Sequence, residues 1–202
     1  ASGKYKFRYR RVNPAGEIAY DTTAVRENGD INATRLEAGL YGTIERGTWN
    51  AKVYNYNSER GIPGAIVNNV WRRGERVWDT NSFFQGSFVK EVNDQFKTQV
   101  NAKYAFYRTH YVNNDDKLIE VDNLYKQREV YVSTANMYTI FPFWDVSMSY
   151  DFQWNEMKAD MYGFVFPTRF TNLLSIATAL RLGKVKLQGS GLATFVNDRV
   201  KE

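Results

Sequence analysis

The sequence predicts an all-β protein, an antiparallel meander of about eight or nine long strands that forms part of a transmembrane β-barrel. Three observations carry this expectation. Residues 144–155 alternate without exception: Trp144, Val146, Met148, Tyr150, Phe152 and Trp154 on one parity, and Asp145, Ser147, Ser149, Asp151, Gln153 and Asn155 on the other. Successive side chains of a strand point to opposite faces, so this segment has one apolar and one polar face. The apolar face begins and ends in Trp, where a water-soluble sandwich would use Val, Ile and Leu. About ten residues tipped with aromatics suit a bilayer crossing. Second, short turns near 46, 94, 142 and 183 alternate with long segments at 12–31, 59–80, 111–125 and 156–167, the layout of outer-membrane barrels. Third, aromatics make up 16% of the chain, with 14 Tyr, 13 Phe and 5 Trp, and Tyr and Trp collect at membrane–water interfaces.

In chain order, Tyr5, Phe7 and Tyr9 alternate with Lys4, Lys6, Arg8 and Arg10, a strand with a basic face. Asn13-Pro14, Gly16 and Asn28-Gly29-Asp30 mark 12–31 as turn and loop. Leu36, Ala38, Leu40, Gly42 and Ile44 then share a face against Arg35, Glu37, Gly39, Tyr41 and Thr43. After a tight turn at Glu45-Arg46-Gly47, Trp49, Ala51 and Val53 return opposite Asn50, Lys52, Tyr54 and Tyr56. Beyond the Gly-, Arg- and Trp-rich segment 59–80, Phe84, Gly86 and Phe88 face away from Gln85, Ser87 and Glu91. Asn93-Asp94 turns into a strand with Phe96, Thr98, Val100, Ala102, Tyr104 and Phe106 on one face and Lys97, Gln99, Asn101, Lys103 and Tyr107 on the other. Residues 126–139 read as a strand with both parities mixed, so its faces stay unassigned. Phe141-Pro142-Phe143 leads into 144–155, and Phe170, Leu174, Ile176 and Leu180 share a face of the strand after it. Gly183-Lys184 turns into Val185, Leu187, Gly189, Gly191, Ala193 and Phe195, opposite Lys186, Gln188, Ser190 and Thr194. Four prolines occur in all, and none is expected inside a strand.

Composition narrows the function classes. The 202 residues form one domain, 1–202, by length. No run of about 18 apolar residues exists, so no transmembrane helix is expected. A mean hydropathy of −0.54 is compatible with a barrel, because half of each strand faces a polar lumen. Cysteine is absent, which excludes disulfides and thiol chemistry. The net charge is +5, but the charges spread along strands instead of clustering, so nucleic acid is not an expected partner. No secretory signal is visible at residue 1. Soluble sandwiches also have two-faced strands; the strand length and the Gly and Ala recurring on the apolar faces favour the bilayer.

More specific signals lie at 54–88. Tyr54-Asn55-Tyr56-Asn57-Ser58-Glu59-Arg60-Gly61-Ile62-Pro63-Gly64 precedes Arg72-Arg73, Arg76, Trp78-Asp79 and Phe83-Phe84-Gln85-Gly86-Ser87-Phe88. With Tyr131-Val132-Ser133-Thr134-Ala135 and Asp151-Phe152-Gln153-Trp154-Asn155, this resembles the barrel of TonB-dependent outer-membrane receptors, especially those of Bacteroidetes. That family has about twenty-two strands and an N-terminal plug in the lumen. The chain has fewer than half those strands, shows no plug before residue 4, and ends without a terminal aromatic. The resemblance therefore implies an internal portion of the barrel, located in the outer membrane of a Gram-negative bacterium. Its implied partners are outer-membrane lipid and lipopolysaccharide, the remainder of the barrel, the plug, and the TonB energy-transducing complex acting through the plug. The implied activity is active uptake of a large scarce ligand of the ferric siderophore or cobalamin class.

On that reading, Arg60, Arg72, Arg73 and Arg76 are suited to hold carboxylate or phosphate groups of a ligand. Trp71, Trp78, Tyr54 and Tyr56 are suited to stack on a flat one. The competing reading makes Trp71 and Trp78 interface markers and has the arginines contact lipopolysaccharide phosphates. Trp144, Val146, Met148, Tyr150, Phe152 and Trp154 are expected to face lipid. Lys52, Lys97, Lys103, Lys186, Glu37 and Gln99 are expected to face the lumen. Catalysis has little support: His110 is the single histidine, and no nucleophile motif accompanies it. Asp115, Asp116, Glu120 and Asp122 lack calcium-hand spacing, and Gly61-Ile62-Pro63-Gly64 lacks the Lys-Ser/Thr of a phosphate loop. No metal, cofactor or enzymatic activity is expected. The alternatives are a complete eight-stranded outer-membrane barrel with a structural or adhesive role and a secreted β-protein that binds through an open strand edge.

Overall fold

The computed structural model describes residues 3–64, 66, 74–114 and 120–201. These form ten strands: β1 (Tyr5–Val12), β2 (Ile18–Arg26), β3 (Ile31–Ile44), β4 (Gly47–Ile62), β5 (Glu75–Glu91), β6 (Phe96–Asn113), β7 (Val121–Phe141), β8 (Trp144–Ala159), β9 (Phe166–Leu182) and β10 (Val185–Lys201). β1 and β2 make a two-stranded sheet. β3 to β10 make an eight-stranded sheet in strictly consecutive order, the antiparallel meander expected. The chain divides into two compact units, one of Ala1–Thr34, Tyr56–Thr80 and Arg108–Leu124, the other of Arg35–Asn55, Asn81–Tyr107 and Tyr125–Glu202.

The strands are one more numerous than expected; those of the large sheet are longer, from 14 residues in β3 to 21 in β7, whereas β1 and β2 have 8 and 9. Residues 12–31 hold β2, which pairs with β1 from Tyr5↔Arg26 to Val12↔Ile18. Asn13-Pro14 and Gly16 mark only the hairpin turn, where the Glu17 carbonyl accepts from the Asn13 amide at 2.9 Å. In the same way β4 runs to Ile62 and β5 begins at Glu75, β6 reaches Asn113, and β8 reaches Ala159. Apolar alternation stops where the apolar face stops, whereas a backbone ladder continues through polar residues. Pro167 lies inside β9, at its second residue, where the start of a strand accepts it.

Register assigns the faces. Directly opposed residues of an antiparallel pair point the same way. Trp144, Met148, Tyr150 and Trp154 oppose Leu180, Ile176, Leu174 and Phe170. Leu180, Ile176 and Leu174 oppose Leu187, Gly191 and Ala193. β7, unassigned from sequence, sets Val130, Val132 and Tyr138 opposite Trp154, Phe152 and Val146, so these join the apolar face. Tyr131, Ser133 and Ala135 join the polar one.

None of the described residues covers this apolar face. Among the described residues the buried hydrophobics are Ala24, Val77, Ala105 and Ala159, and no large side chain is fully buried. Met148, Ile176, Leu187 and Phe195 are exposed. A sandwich would bury such a face against a second sheet.

The short turns have local causes. Arg46 adopts φ 54°, and its guanidinium reaches Asp94 at 2.7 Å. The Asn93 side chain accepts from the Gln95 and Phe96 amides at 2.9 and 2.8 Å, an Asx turn. One hairpin contact depends on a missing side chain: a Cβ on Gly42 would collide with the Trp49 indole. Gly42→Val should destabilise the β3–β4 hairpin by about 1–3 kcal/mol, measured by urea unfolding in detergent micelles; Gly39→Ala, where a Cβ meets only the Ala51 carbonyl at 3.6 Å, should cost less.

Candidate functional site

The unit of Ala1–Thr34, Tyr56–Thr80 and Arg108–Leu124 is held by polar contacts. Arg8 and Asp21 pair across β1 and β2 at 2.5 and 2.8 Å. The Arg26 guanidinium donates to the Pro63 and Gly64 carbonyls. The Asn28 amide donates to the carbonyls of Ile62 at 3.1 Å and Glu75 at 2.8 Å. The Gly61 amide donates to the Asp30 carbonyl at 2.9 Å. Arg76 closes this cluster, with ion pairs of 2.9 Å to Asp30 and 2.8 Å to Glu59.

A cleft of about 430 Å³ opens in the same unit, lined by β3 (Asn32, Thr34), β4 (Asn57, Ser58, Glu59), β5 (Trp78, Asp79, Thr80) and β6 (Arg108, His110). Trp78 stacks on His110 with ring centroids 5.3 Å apart, and His110 Nε2 lies 2.6 Å from Asp122. The Thr80 hydroxyl donates to Asn57 at 2.9 Å. Arg108 is exposed and forms no ion pair among the described residues. The cleft offers one aromatic face, the Arg108 guanidinium, several amides and hydroxyls, and the carboxylates of Glu59 and Asp79, which are paired with Arg76 and Arg60, a lining suited to a polar ligand.

Strand parity divides the residues singled out by sequence. Arg76 and Trp78 share a parity of β5, and through Glu59 and His110 they belong with the cleft. Tyr54, Tyr56 and Arg60 share the opposite face of the ladder. Arg60 lies 3.3 Å from Asp79, which also accepts from the Thr109 hydroxyl at 2.8 Å. Tyr54 stacks on Phe83 at 4.7 Å under the Arg35 guanidinium at 5.2 Å. Tyr56 is half-buried. Trp71, Arg72 and Arg73 lie outside the described residues, as do Asp115 and Asp116.

In the other unit the polar face carries its own network. Lys103 meets Glu129 at 3.0 Å and Tyr107 at 3.3 Å. Lys52 and Arg35 both meet Glu37, at 2.6 and 2.8 Å. Tyr131 donates to Asp151 at 2.9 Å. Sequence reading missed Arg108 and Asn32 in the cleft and Glu129 in this network. Arg108 was detectable as the next position on the parity of Tyr104 and Phe106; Glu129 was not, because its strand showed no clean alternation. No group of three or more metal-ligating side chains stands together among the described residues.

The class defined by this architecture is an all-β antiparallel meander of long consecutive strands. The solved structure of the ferric citrate transporter FecA in its unliganded form is similar, with a TM-score of 0.63 and 13% identity over 98% of this chain and 33% of that one. The chain thus spans about a third of that transporter's length. At this identity the likeness shows the fold. No protein-family model matches the chain, and no curated protein matches it in sequence.

The Arg76 hydrogen bond holds the Asp30 carboxyl below its ordinary value of 3.8, against the opposing effect of burial. The unfolded chain takes up this proton at higher pH than the folded one, so the Asp30 contribution is present above that ordinary value and is lost as pH falls through the lower folded value. The protection of the Gly61 amide, the slowing of its exchange relative to an unstructured amide at the same pH, should therefore fall on acidification below about pH 3.8. Asp30→Asn should show fast exchange already at neutral pH.

Proposed function

We propose that the chain is a section of a TonB-dependent outer-membrane receptor barrel, of the Bacteroidetes type that its Ser58-Glu59-Arg60-Gly61 and Phe84-Gln85-Gly86-Ser87-Phe88 segments resemble. The whole protein would bind a ferric siderophore or cobalamin outside the cell and release it inward when the plug is pulled. The observation that carries the reading is the uncovered apolar face on consecutive long strands, joined by the fold shared with a ferric citrate transporter. From Trp144 to Trp154, ten steps of about 3.3 Å span about 33 Å along the strand. At the tilt of barrel strands this becomes about 25 Å, the height of an outer-membrane apolar band. Trp144, Val146, Met148, Tyr150, Phe152 and Trp154 meet acyl chains on this reading. No helix among the described residues is long and apolar enough to cross a membrane, so the crossing falls to strands.

The remainder of the barrel would pair with the outer edges of β3 and β10, which end the strand order; unpaired edges are not tolerated in hydrocarbon. Lipid and lipopolysaccharide are then the surrounding partners, and the TonB complex acts through the plug. The activity is transport and makes or breaks no bond. Tyr54, Tyr56 and Arg60 are the described part of the ligand-facing set of this proposal, with Trp71, Arg72 and Arg73 outside the described residues; Arg76 and Trp78, on the other face, leave that set and stay with the cleft.

Folding of the complete receptor into lipid bilayers from urea tests the assignment of faces. Met148→Arg should cost about 2–4 kcal/mol, and Ser149→Arg, its neighbour on the other parity, well under half of that. Equal costs would remove the lipid-facing row. In the complete receptor, Arg60→Ala should weaken ligand binding about tenfold, the loss of one charge-assisted hydrogen bond; unchanged affinity takes Arg60 out of the site.

A further inference from the structure

Polar side chains interrupt the apolar face near its middle. The Thr98 hydroxyl on β6 donates to the Asn136 side-chain oxygen at 2.7 Å, and the Asn136 amide donates to the Thr134 hydroxyl at 3.2 Å. All three residues sit on the apolar parities of their strands. Asn136 opposes Met148, in the row that continues to Ile176 and Gly191. Thr134 opposes Tyr150, in the row of Leu174 and Ala193. These two rows lie midway between those of Trp144 and Trp154. Where the face meets acyl chains, the trio stands at the centre of the hydrocarbon.

The surface around the trio is low. Gln95 pairs with Thr139 through the backbone, Thr98 meets Asn136, and Asn101 meets Ser133. Val100 therefore stands beside Thr134, and Ala102 beside Val132. Val100, Ala102 and Val132 are exposed. Phe96 and Tyr138, with ring centroids 6.5 Å apart, bound the patch at one end, and Tyr104 bounds it at the other. Small side chains on a membrane face let a second backbone approach closely.

An asparagine side chain carries two N–H donors and two lone pairs on its oxygen. The bonds to Thr98 and Thr134 use one of each, and Asn136 makes no other side-chain hydrogen bond among the described residues. Acyl chains can engage neither the second N–H nor the second lone pair, and an unsatisfied polar group is costly in hydrocarbon. The occupant must bring a donor and an acceptor together at this depth, on a surface that is otherwise apolar. A second copy of the same patch does so. Across a two-fold axis each Asn136 amide donates to the other's oxygen, a self-complementary pair. Asn172 offers no such meeting place. It lies two rows nearer the Trp154 end, between the rings of Phe152 and Phe195, and accepts from the Tyr150 hydroxyl at 2.6 Å.

We propose that the β6–β7 part of the apolar face is an intramembrane docking surface for a second copy of this chain, with the two Asn136 side chains paired at its centre. The proposal rests on the reading that the apolar face meets acyl chains. It adds that one patch of that face meets protein.

The test uses the complete receptor. Asn136→Cys, with any other cysteine replaced, should form a disulfide-linked homodimer in outer membranes treated with copper phenanthroline, its partner identified by mass spectrometry. Leu187→Cys, on the same face at β10, should not. Dimer dissociation in bilayers is then followed by single-molecule photobleaching across protein-to-lipid ratios. Asn136→Leu should raise the dissociation constant about tenfold, the loss of two hydrogen bonds of the strength found inside membranes. Asn172→Leu, the same exchange outside the patch, should leave it unchanged. Circular dichroism of each variant confirms retained β-structure. A receptor that inserts and stays monomeric, or a dissociation constant unchanged by Asn136→Leu, overturns this proposal alone. Cross-links from position 136 to a different protein overturn the choice of a second copy. Failure to insert into bilayers overturns the membrane reading, and this proposal with it.

Discussion

The backbone ladder from β3 to β10 is the interaction on which the rest of the structure depends. Each strand takes its hydrogen bonds from the strands beside it in sequence, so the sheet stands without help from a side-chain core. A globular domain of this size would invert the arrangement, with large apolar side chains buried and the sheet held in place by what packs on it. Here the large apolar side chains line one face and stay uncovered. A ladder that satisfies its own polar groups is what a low-dielectric surrounding demands, and an apolar face with nothing of the same chain upon it is what such a surrounding rewards.

The polar side of the ladder follows a different logic. Lys103 with Glu129, Lys52 with Glu37, and Tyr131 with Asp151 are neighbours across strands, and Arg35 joins Glu37 along β3. Each pair has water within reach, so each contributes little by itself. Together they fix side-chain direction along a face that must stay hydrated. In the unit around Arg76, the same residue types tie backbone to backbone: Arg26 and Asn28 hold carbonyls of β4 and its neighbours, and Asp30 and Glu59 fix Arg76. Cations there are largely spent on structure, whereas Arg108 in the cleft and Lys126 on β7 form no ion pair among the described residues.

The turns show how little chemistry the meander needs. Glu45-Arg46 and Gly183-Lys184 reverse the chain through one residue of positive φ each, and Asn93 does it with its own side chain. Tight reversals keep consecutive strands adjacent, which fixes strand order without long-range selection.

Sequence alone determined the class of fold, the alternating faces of β3, β6, β8, β9 and β10, and the places of the short turns. These are local properties: a period of two and a few turn residues are written in neighbouring positions. It did not reveal β2, the full lengths of β4 to β8, or the faces of β7, because ladder pairing extends through residues that carry no apolar signal. It also gathered Tyr54, Arg60, Arg76 and Trp78 into one site on proximity in the chain. Only the tertiary structure separated them onto two faces and brought His110 to Trp78 and Lys126 opposite Lys158. Register decides such meetings, and register is a property of two strands at once; a shift of one residue would have turned every one of these side chains to the other side.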